Sequence, residues 1–362
     1  MRPTGKKIKR VAMTLTVLFV VLTVGVIAVA AYAYSPNSAL GFLVKDSSME
    51  STSSSQQESS QSESSSSQEE EPVEEIVFNR PENMRAVTLV PGTDFLIPGD
   101  DVTEEKLKGD VDAALQSAQD LTMNTVLVDL TYDGHLIYPS EQAPYLMTEF
   151  DVLDYLIQQA RGKGLYVYLK LDIGLQVTDS QLERAQVWTP ELISFQSGLA
   201  TEIAGKYSVD GILLTGYSNV ENAYSFASYM ENDPGSGFEQ YMRATAQNMV
   251  TSVSHAVKAV APSVQVGLMV DDVWENASVL DTGSDTTADY TMYTDGHADV
   301  MPLLEEKAVD FLFLQADVPM GDEHAPFETV AAWWANLALN QDLPLYIMHS
   351  VSLAAQQESG WT

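Results

Sequence analysis

The sequence predicts an α/β fold, a TIM-type (β/α)8 barrel, for residues 76–362. Seven short apolar runs recur, each followed by a helix-like stretch, at a spacing of roughly 35–55 residues that leaves room for the crossover of a parallel sheet. Polar residues stand where several runs end, which is where such a barrel carries its chemistry. The runs are 84–90 (MRAVTLV), 125–131 (TVLVDLT), 165–173 (LYVYLKLDI), 209–217 (VDGILLTGY), 264–270 (VQVGLMV), 310–315 (DFLFLQ) and 344–350 (PLYIMHS).

Only seven strands are visible, and Thr362 follows the seventh run by 12 residues. Either an eighth strand is missing or the barrel is open. We expect the seven strands to be parallel neighbours in sequence order around a core of Val, Leu, Ile and Phe, with a gap between the first and the seventh.

The N-terminal segment predicts a single transmembrane helix. Residues 11–34 carry no charge, and residues 1–10 contain five Lys and Arg. At 1.5 Å per residue the run exceeds the ~30 Å hydrocarbon core, and the basic cluster places its N-terminal side inside the cell. The barrel domain is then extracellular. The competing interpretation is a signal peptide cleaved after Ala33, which would make the domain secreted.

Composition predicts a linker at 35–75 and limits the partners. Ser, Gln and Glu dominate its later part, without an aromatic residue, and such a stretch predicts a disordered tether. The chain has no cysteine, which excludes a disulfide framework. Its formal net charge of −33 disfavours nucleic acid as a partner, because phosphate binding needs clustered Lys and Arg.

The candidate catalytic residues are carboxylates at strand ends. Lys170 and Asp172 share one face of the third run, and Asp129 lies near the end of the second. We expect Lys170 to keep Asp172 ionised as a nucleophile or base, whereas Asp129, in a more apolar setting, suits a general acid with a raised pKa. Asp317 and Asp272, after the sixth and fifth runs, are the further candidates.

The residue types at the same rim suit sugars. Aromatic faces stack on pyranose rings, amides bind hydroxyls, and a carboxylate pair can cleave a glycosidic bond. Asp and Asn at strand ends also cap helices and close turns, so each has a purely structural alternative. At least one of Trp333 and Trp334 is expected in the core. The expected substrate-binding residues are Asp94, Lys170, Tyr217, Trp274, Asn276, Gln315 and His349.

No cofactor and no metal is expected. Asp281, Asp285, Asp289 and Asp295, in the loop after the fifth run, are oxygen ligands of the kind that calcium binds, but they lack the spacing of an EF-hand. The sequence contains no Gly-rich phosphate loop, nucleophile-elbow serine or zinc-type histidine pair.

Seven segments in order, spanning roughly residues 84–350, resemble a known family. They are MRAVTLVPGTDF, LTMNTVLVDLTYDGHLIYPSE, FDVLDYLIQQARGKGLYVYL, YSVDGILLTGY, VQVGLMVDDVWEN, VDFLFLQ and FETVAAWWANLALNQDLPLYIMHS. The family is glycosyl hydrolase-like family 10, extracellular TIM-barrel proteins of bacteria. The resemblance implies an exported (β/α)8 barrel that acts on glycan, or that descends from proteins acting on glycan.

The departures from this family bear on catalysis. After VDGI the family has a His, an apolar residue and an acidic pair before Tyr, whereas this chain has Thr215 and Gly216 before Tyr217. Other family residues are also replaced; their positions hold Thr131, Tyr168, Asp172, Val270 and Glu275. Kept positions are Asp94, Trp274, Asn276, Gln315, Trp333, Trp334 and His349. The pattern implies a sugar cleft without the usual acidic pair.

Three functions fit the sequence. The first is a membrane-anchored glycoside hydrolase-like barrel that engages cell-wall glycan or other polysaccharide and cleaves it with a carboxylate pair. The second is a catalytically inactive glycan-binding protein on the same barrel, which the loss of the acidic pair favours. The third is a structural role at the cell wall, for which the tether and acidic surface suffice.

Overall fold

The computed structural model describes residues 79–96, 103–146, 150–219 and 221–351. Short strands and longer helices alternate along this part of the chain. The strands are β1 (Ala86–Leu89), β2 (Thr125–Asp129), β3 (Thr131–Tyr132), β4 (His135–Leu136), β5 (Tyr166–Asp172), β6 (Leu175–Thr178), β7 (Gln181–Arg184), β8 (Gly211–Thr215), β9 (Gln265–Val270), β10 (Phe311–Gln315) and β11 (Leu345–Met348).

Seven of these strands form one curled parallel sheet in the order β1-β2-β5-β8-β9-β10-β11. Each predicted run contains one of them, and neighbours in the sheet follow chain order, so this part of the fold prediction is confirmed. Within the described residues, β1 and β11 are the two edges and do not pair with each other. The expected gap between the first and the seventh strand is therefore present in the described part of the chain.

Two hairpins at the carboxyl ends of β2 and β5 were not predicted. The second run was expected to extend to Thr131, but β2 ends at Asp129 and Thr131 begins β3, which pairs antiparallel with β4. After β5, the strands β6 and β7 form a second antiparallel hairpin. This hairpin brings Arg184 back to the end of β5, where it contacts Asp172.

The helices form the outer layer. They are α1 (Glu104–Asp120), α2 (Val152–Gly162), α3 (Pro190–Lys206), α4 (Ala223–Asn232), α5 (Phe238–Val260), α6 (Met301–Glu305) and α7 (Phe327–Asn340). Four begin at a residue whose side chain accepts a hydrogen bond from a free backbone N–H of the first turn: Thr103, Asp151, Thr189 and Asn222. Their apolar stripes pack against the outside of the sheet, as in α2, where Leu153, Leu156 and Ile157 are buried.

A second, smaller core fills the concave side of the sheet. Tyr168 and Phe311 meet edge to face there, with ring centroids 5.6 Å apart. Glycines make room for both rings: a Cβ at Gly211 would lie 2.4 Å from the Tyr168 ring, and one at Gly267 would lie 2.0 Å from Phe311. The sheet therefore curls around aromatic packing, with Leu127, Leu213 and Phe313 completing the layer.

Among the described residues, no helix is long and apolar enough to cross a membrane. The predicted anchor at 11–34, the linker at 35–75 and their boundaries lie outside these residues.

Candidate active site

Polar side chains follow the inner core toward the carboxyl ends of the strands. Because side chains alternate along a strand, residues two positions beyond a core residue share its inward face. The pairs are Asp129 after Leu127, Lys170 after Tyr168, Thr215 after Leu213 and Gln315 after Phe313. They line two cavities. We call the cavity of about 270 Å³ around Asp129, Lys170, Asp172 and Thr215 the β5 pocket.

The second cavity, which we call the β9–β10 pocket, measures about 410 Å³. Asp271 and Asp272 enter it from the end of β9, Gln315 and Asp317 from the end of β10, and Tyr290 from the long loop after β9. The four residues first proposed as catalytic are thus divided between the two pockets, with Asp129 and Asp172 in one and Asp272 and Asp317 in the other.

In the β5 pocket both carboxylates are paired with cations. Lys170 Nζ lies 2.8 Å from Asp129 Oδ1. Arg184 donates through Nη1 and Nη2 to the two oxygens of Asp172, at 2.9 and 2.7 Å, and the Gly174 N–H donates to Asp172 Oδ1 at 2.9 Å. The expected pairing was therefore wrong: Lys170 neutralises Asp129, not Asp172. Asp129 does not occupy the apolar setting that was expected of a general acid.

The ion pair of Asp172 also accounts for the chain's departure at Gly216. The backbone of Gly216 has φ +76°, a region that favours glycine. A Cβ there would lie 2.4 Å from Asp172 Oδ1 and 2.8 Å from Arg184 Nη1. An acidic side chain at this position would displace the Asp172–Arg184 pair, so the two features are mutually exclusive as the chain is folded.

The β9–β10 pocket has the opposite electrostatics. Among the described residues, its lining contains four aspartates and no Lys or Arg. Burial is the main reason that the pKa of Asp272 is raised to about 6; the charges of Asp317 and Asp271 contribute to the rise, and the Asp317 N–H, 3.2 Å from Asp272 Oδ1, opposes it. A carboxyl group with this pKa holds a proton in about a tenth of molecules at pH 7, far more than an ordinary aspartate does.

Asp317 is held as a hydrogen-bond acceptor beside Asp272. Gln315 Nε2 donates to Asp317 Oδ2 at 2.9 Å, and the Ser350 N–H donates to Asp317 Oδ1 at 3.2 Å. Both oxygens of Asp317 are thus fixed in place by donors from the end of β10 and from the segment after β11. His349 donates from Nδ1 to the carbonyl of Ala316 at 2.9 Å and so fixes the turn from which Asp317 projects.

The tryptophans support this pocket from behind. Trp334 is fully buried, as expected of at least one member of the pair, and its Nε1–H donates to the Asp272 carbonyl at 2.8 Å. Trp333 stacks on Trp274, with ring centroids 5.5 Å apart and planes 13° apart. Trp274 is only 3% exposed, so the structure places it behind the rim and not on a surface where a sugar could stack.

Three other expected substrate-binding residues hold loops. Asp94 Oδ2 accepts the Val90 N–H at 2.7 Å and closes the turn after β1. The Tyr217 hydroxyl is buried and donates to the Asp299 carbonyl at 2.7 Å. Asn276, also buried, bonds through both ends of its amide to the backbone of Ala288, at 2.9 Å each. In each case a structural role in holding a loop or turn, and not contact with a sugar, accounts for where the side chain lies.

Two rim residues were missed by sequence reasoning. Tyr290 is 48% exposed, lines the β9–β10 pocket, and has its hydroxyl 3.2 Å from Ser218 Oγ. In the sequence, the only indication that Tyr290 belongs to the rim was its position in the Asp-rich loop after β9. Arg184 reaches Asp172 through a hairpin that no hydrophobic periodicity indicates.

In the described part of the chain, no group of three or more His, Asp or Glu is arranged to hold a metal ion.

Known proteins are similar to this chain in sequence. Residues 185–362 match the model of the family described as Glycosyl hydrolase-like 10. Glycosyl hydrolase DigH of Escherichia coli (strain K12) is 25% identical over 296 residues, covering 68% of this chain and 67% of that protein. Glycosyl hydrolase YngK of Bacillus subtilis (strain 168) is 23% identical over 273 residues, covering 64% of this chain and 53% of that protein.

Among solved structures, a cellulase–inhibitor complex aligns with a TM-score of 0.46 at 12% identity, over 76% of this chain and 77% of that chain.

Proposed function

We propose that this chain, a divergent member of the Glycosyl hydrolase-like 10 family, hydrolyses glycosidic bonds of polysaccharide or cell-wall glycan in its β9–β10 pocket. Asp272 is the general acid and Asp317 is the second carboxylate. The observation that carries the proposal is Asp272 itself, a half-buried carboxyl group whose pKa is raised to about 6 in an open cavity, next to a second carboxylate.

The chemistry needs two carboxyl groups in different protonation states. Asp272 donates its proton to the glycosidic oxygen as the bond from that oxygen to the anomeric carbon breaks. Asp317 either attacks the anomeric carbon or takes a proton from the water that does so. Proton donation by a positioned acid contributes typically about 10²–10⁴-fold to the rate.

The test is release of reducing ends from a panel of neutral polysaccharides and isolated cell-wall glycan. Wild-type protein is expected to release reducing ends, and Asp272→Asn, which preserves the size of the side chain but cannot donate the same proton, is expected to lose that release. Asp272→Asn protein that hydrolyses at the wild-type rate would remove Asp272 from the mechanism. NMR of the first product then gives its anomeric configuration. Retention would assign Asp317 as the nucleophile, and inversion would assign it as the general base.

A second function, glycan binding without hydrolysis, is favoured by one observation. The acidic pair of the family is replaced by Thr215 and Gly216, and the neighbouring Asp129 and Asp172 are both neutralised by cations. Ion-paired carboxylates can bind sugar hydroxyls, but neither is free to act as a nucleophile or base. Binding to several glycans without release of reducing ends from any of them would establish this function instead.

A complete eight-stranded barrel is part of the same proposal. A cavity of about 620 Å³ lies at the sheet edges and is lined by residues of both, including Ala86 and Thr88 of β1 and Tyr346 and Met348 of β11. A further parallel strand in this gap would pair with the outer edges of β1 and β11, which have no partner strand among the described residues. Slow hydrogen exchange at the β1 amides that face away from β2 would support it, and rapid exchange there would contradict it.

We also propose that residues 11–34 anchor the protein in the membrane, with the barrel domain outside. Support comes from the absence of charge in these 24 residues and from the basic cluster before them. Protease added to intact cells should then release the acidic domain by cutting between residues 35 and 75. A domain that resists external protease but is cleaved after lysis would contradict this location.

A further inference from the structure

The loop after β9 brings one aromatic side chain into the β9–β10 pocket. Among the described residues that line this pocket, Tyr290 is the only Phe, Tyr or Trp. It is half-exposed, whereas Trp274, which the sequence suggested as a sugar-binding ring, is buried behind the rim. An aromatic ring that lines an open cavity and is still half-exposed can contact a ligand that enters the cavity.

The backbone on both sides of Tyr290 is anchored by two consecutive buried residues. Glu275, 1% exposed, accepts a hydrogen bond from the Thr291 hydroxyl at 3.1 Å. The Asn276 side-chain amide bonds to the carbonyl and to the N–H of Ala288, at 2.9 Å each. The loop is therefore fixed two residues before the ring and one residue after it. A ring held in this way loses little conformational freedom when a ligand binds.

The hydroxyl end of the Tyr290 side chain is held as well. Its oxygen lies 3.2 Å from the hydroxyl of Ser218, in the segment between β8 and α4. Gly296 makes room for it, because a Cβ there would lie 2.7 Å from the Tyr290 oxygen. The side chain is thus fixed at its backbone and at its tip, and the part that lies between them is the ring.

The protonation state of Tyr290 favours a binding role over a catalytic one. Burial raises the pKa of its hydroxyl above the ordinary value, the bond to Ser218 opposes the rise, and the charges of Asp271 and Asp295 add to it. The hydroxyl therefore stays protonated at neutral pH and is a poor nucleophile or base. What Tyr290 offers to a ligand is its uncharged aromatic ring.

We infer that Tyr290 is the sugar-stacking residue of the β9–β10 pocket, with its ring against the C–H face of a neutral pyranose held beside Asp272 and Asp317. The inference rests on the proposed function for the identity of the ligand as a glycan, and it applies whether or not that glycan is cleaved. A pyranose has an apolar face and a rim of hydroxyls. The ring of Tyr290 suits the face, and the carboxylates and the Gln315 amide of the same pocket suit the rim.

Binding is measured by calorimetry in the Asp272→Asn background, so that turnover does not consume the ligand. The probes are cellotetraose and chitotetraose, two neutral glycans. Tyr290→Ala is expected to raise the Kd of the better-bound probe about tenfold, whereas Tyr290→Phe, which keeps the ring, should change it by less than about threefold. The matched control is Tyr224→Ala, which removes an exposed tyrosine of α4 that does not line the pocket and should leave the Kd unchanged.

Proton NMR of the bound probe separates stacking from a hydrogen bond to the hydroxyl. An aromatic ring packed on a sugar shifts the C–H protons of that sugar upfield. This shift should persist with Tyr290→Phe and disappear with Tyr290→Leu, which keeps apolar bulk at the position but has no ring.

Three results would overturn the stacking role. The first is an unchanged Kd for Tyr290→Ala, which would leave the hydrolase standing if Asp272→Asn still abolishes hydrolysis. The second is an equal loss of affinity in Tyr290→Ala and Tyr290→Phe, which would assign the effect to the hydroxyl. The third is failure of the parent protein to bind either probe. Loss of affinity in Tyr290→Ala, when the wild type hydrolyses no glycan, would support the stacking role and refute the hydrolase.

Discussion

The two pockets of the rim hold the same kind of residue in opposite electrical states. In the β5 pocket, Asp129 and Asp172 each contact a cation, at 2.8 and 2.7 Å. In the β9–β10 pocket, Asp272 contacts no Lys or Arg within the described residues, and its pKa is raised to about 6. A carboxylate at a strand end is therefore only a candidate. What neutralises it decides whether it can exchange a proton.

The difference arises partly from the strands, because Lys170 of β5 lies beside Asp129 of β2, and partly from the loops. Each pocket is built at the end of neighbouring parallel strands, with a core residue directly below its polar ones. The β5 pocket then receives Arg184 from the hairpin after β5. The β9–β10 pocket instead receives Asp289 and Tyr290 from the loop after β9. Lys170 and the loops together divide one rim into an ion-paired half and an acidic half, and loops commonly set such differences in barrels.

The largest expected effect distinguishes these halves directly. Asp272→Asn should lower kcat on the best glycan by about 10²–10⁴-fold, because the proton donor is lost. Asp172→Asn should lower it by less than about tenfold, since Asp172 is already engaged by Arg184 and the Gly174 N–H and lies outside the proposed catalytic pocket. The measurement is the rate of reducing-end release by both variants, with Kd for the same glycan determined in parallel. The reverse order would assign catalysis to the β5 pocket.

The next effect concerns stability. Gly216→Ala places a methyl group against Asp172 and Arg184 at a positive φ, and should lower the free energy of unfolding by about 2–3 kcal/mol. Gly164→Ala is the control, because φ there is +74° and no atom lies within 4 Å of the added carbon. It should cost about 1 kcal/mol, the conformational part alone. Urea unfolding of the two variants gives both values, and equal costs would show that the ion pair moves aside freely.

The strands were predictable because periodicity and spacing report buried structure. All seven parallel strands lie within the apolar runs, since a strand covered by helices on one face and core on the other needs apolar side chains on both. Because side chains alternate between the two faces of a strand, the sequence also placed Asp129 and Lys170 correctly at the carboxyl-end rim of the sheet.

The partners of the rim residues were not predictable. Lys170 stands two residues from Asp172 in sequence, yet the closer carboxylate belongs to the neighbouring strand, because strands in register bring Asp129 directly beside Lys170. Tandem aspartates after β9 gave no sign that Asp272 is the one that contacts Asp317 and Trp334, because both partners are distant in sequence.

A smaller effect concerns pH. Because the folded-state pKa of Asp272 is raised from 3.8 to about 6, its contribution to stability is complete below pH 4 and is lost as the pH rises through 6. Relative to Asp272→Asn, which does not titrate, the wild type should lose about 1–2 kcal/mol between pH 4 and pH 7.5, after allowance for solvent screening. Urea unfolding of both proteins at these pH values measures the change. A difference that is independent of pH would show that the pKa of Asp272 is ordinary.

The smallest effect tests whether the β5 pocket is as inert as its ion pairs imply. Arg184 is 59% exposed, and exposed pairs contribute about 0.2–1 kcal/mol, so Arg184→Gln should lower the free energy of unfolding by less than 1 kcal/mol. Added salt should shrink even this difference, because it screens the pair in the wild type. Turnover should stay within about threefold, since a change of this energy in a pocket without the acid corresponds to only a small factor in rate. A tenfold loss of turnover with unchanged stability would instead show that the bound glycan reaches Arg184, and the division of the rim into a catalytic and an ion-paired half would have to be abandoned.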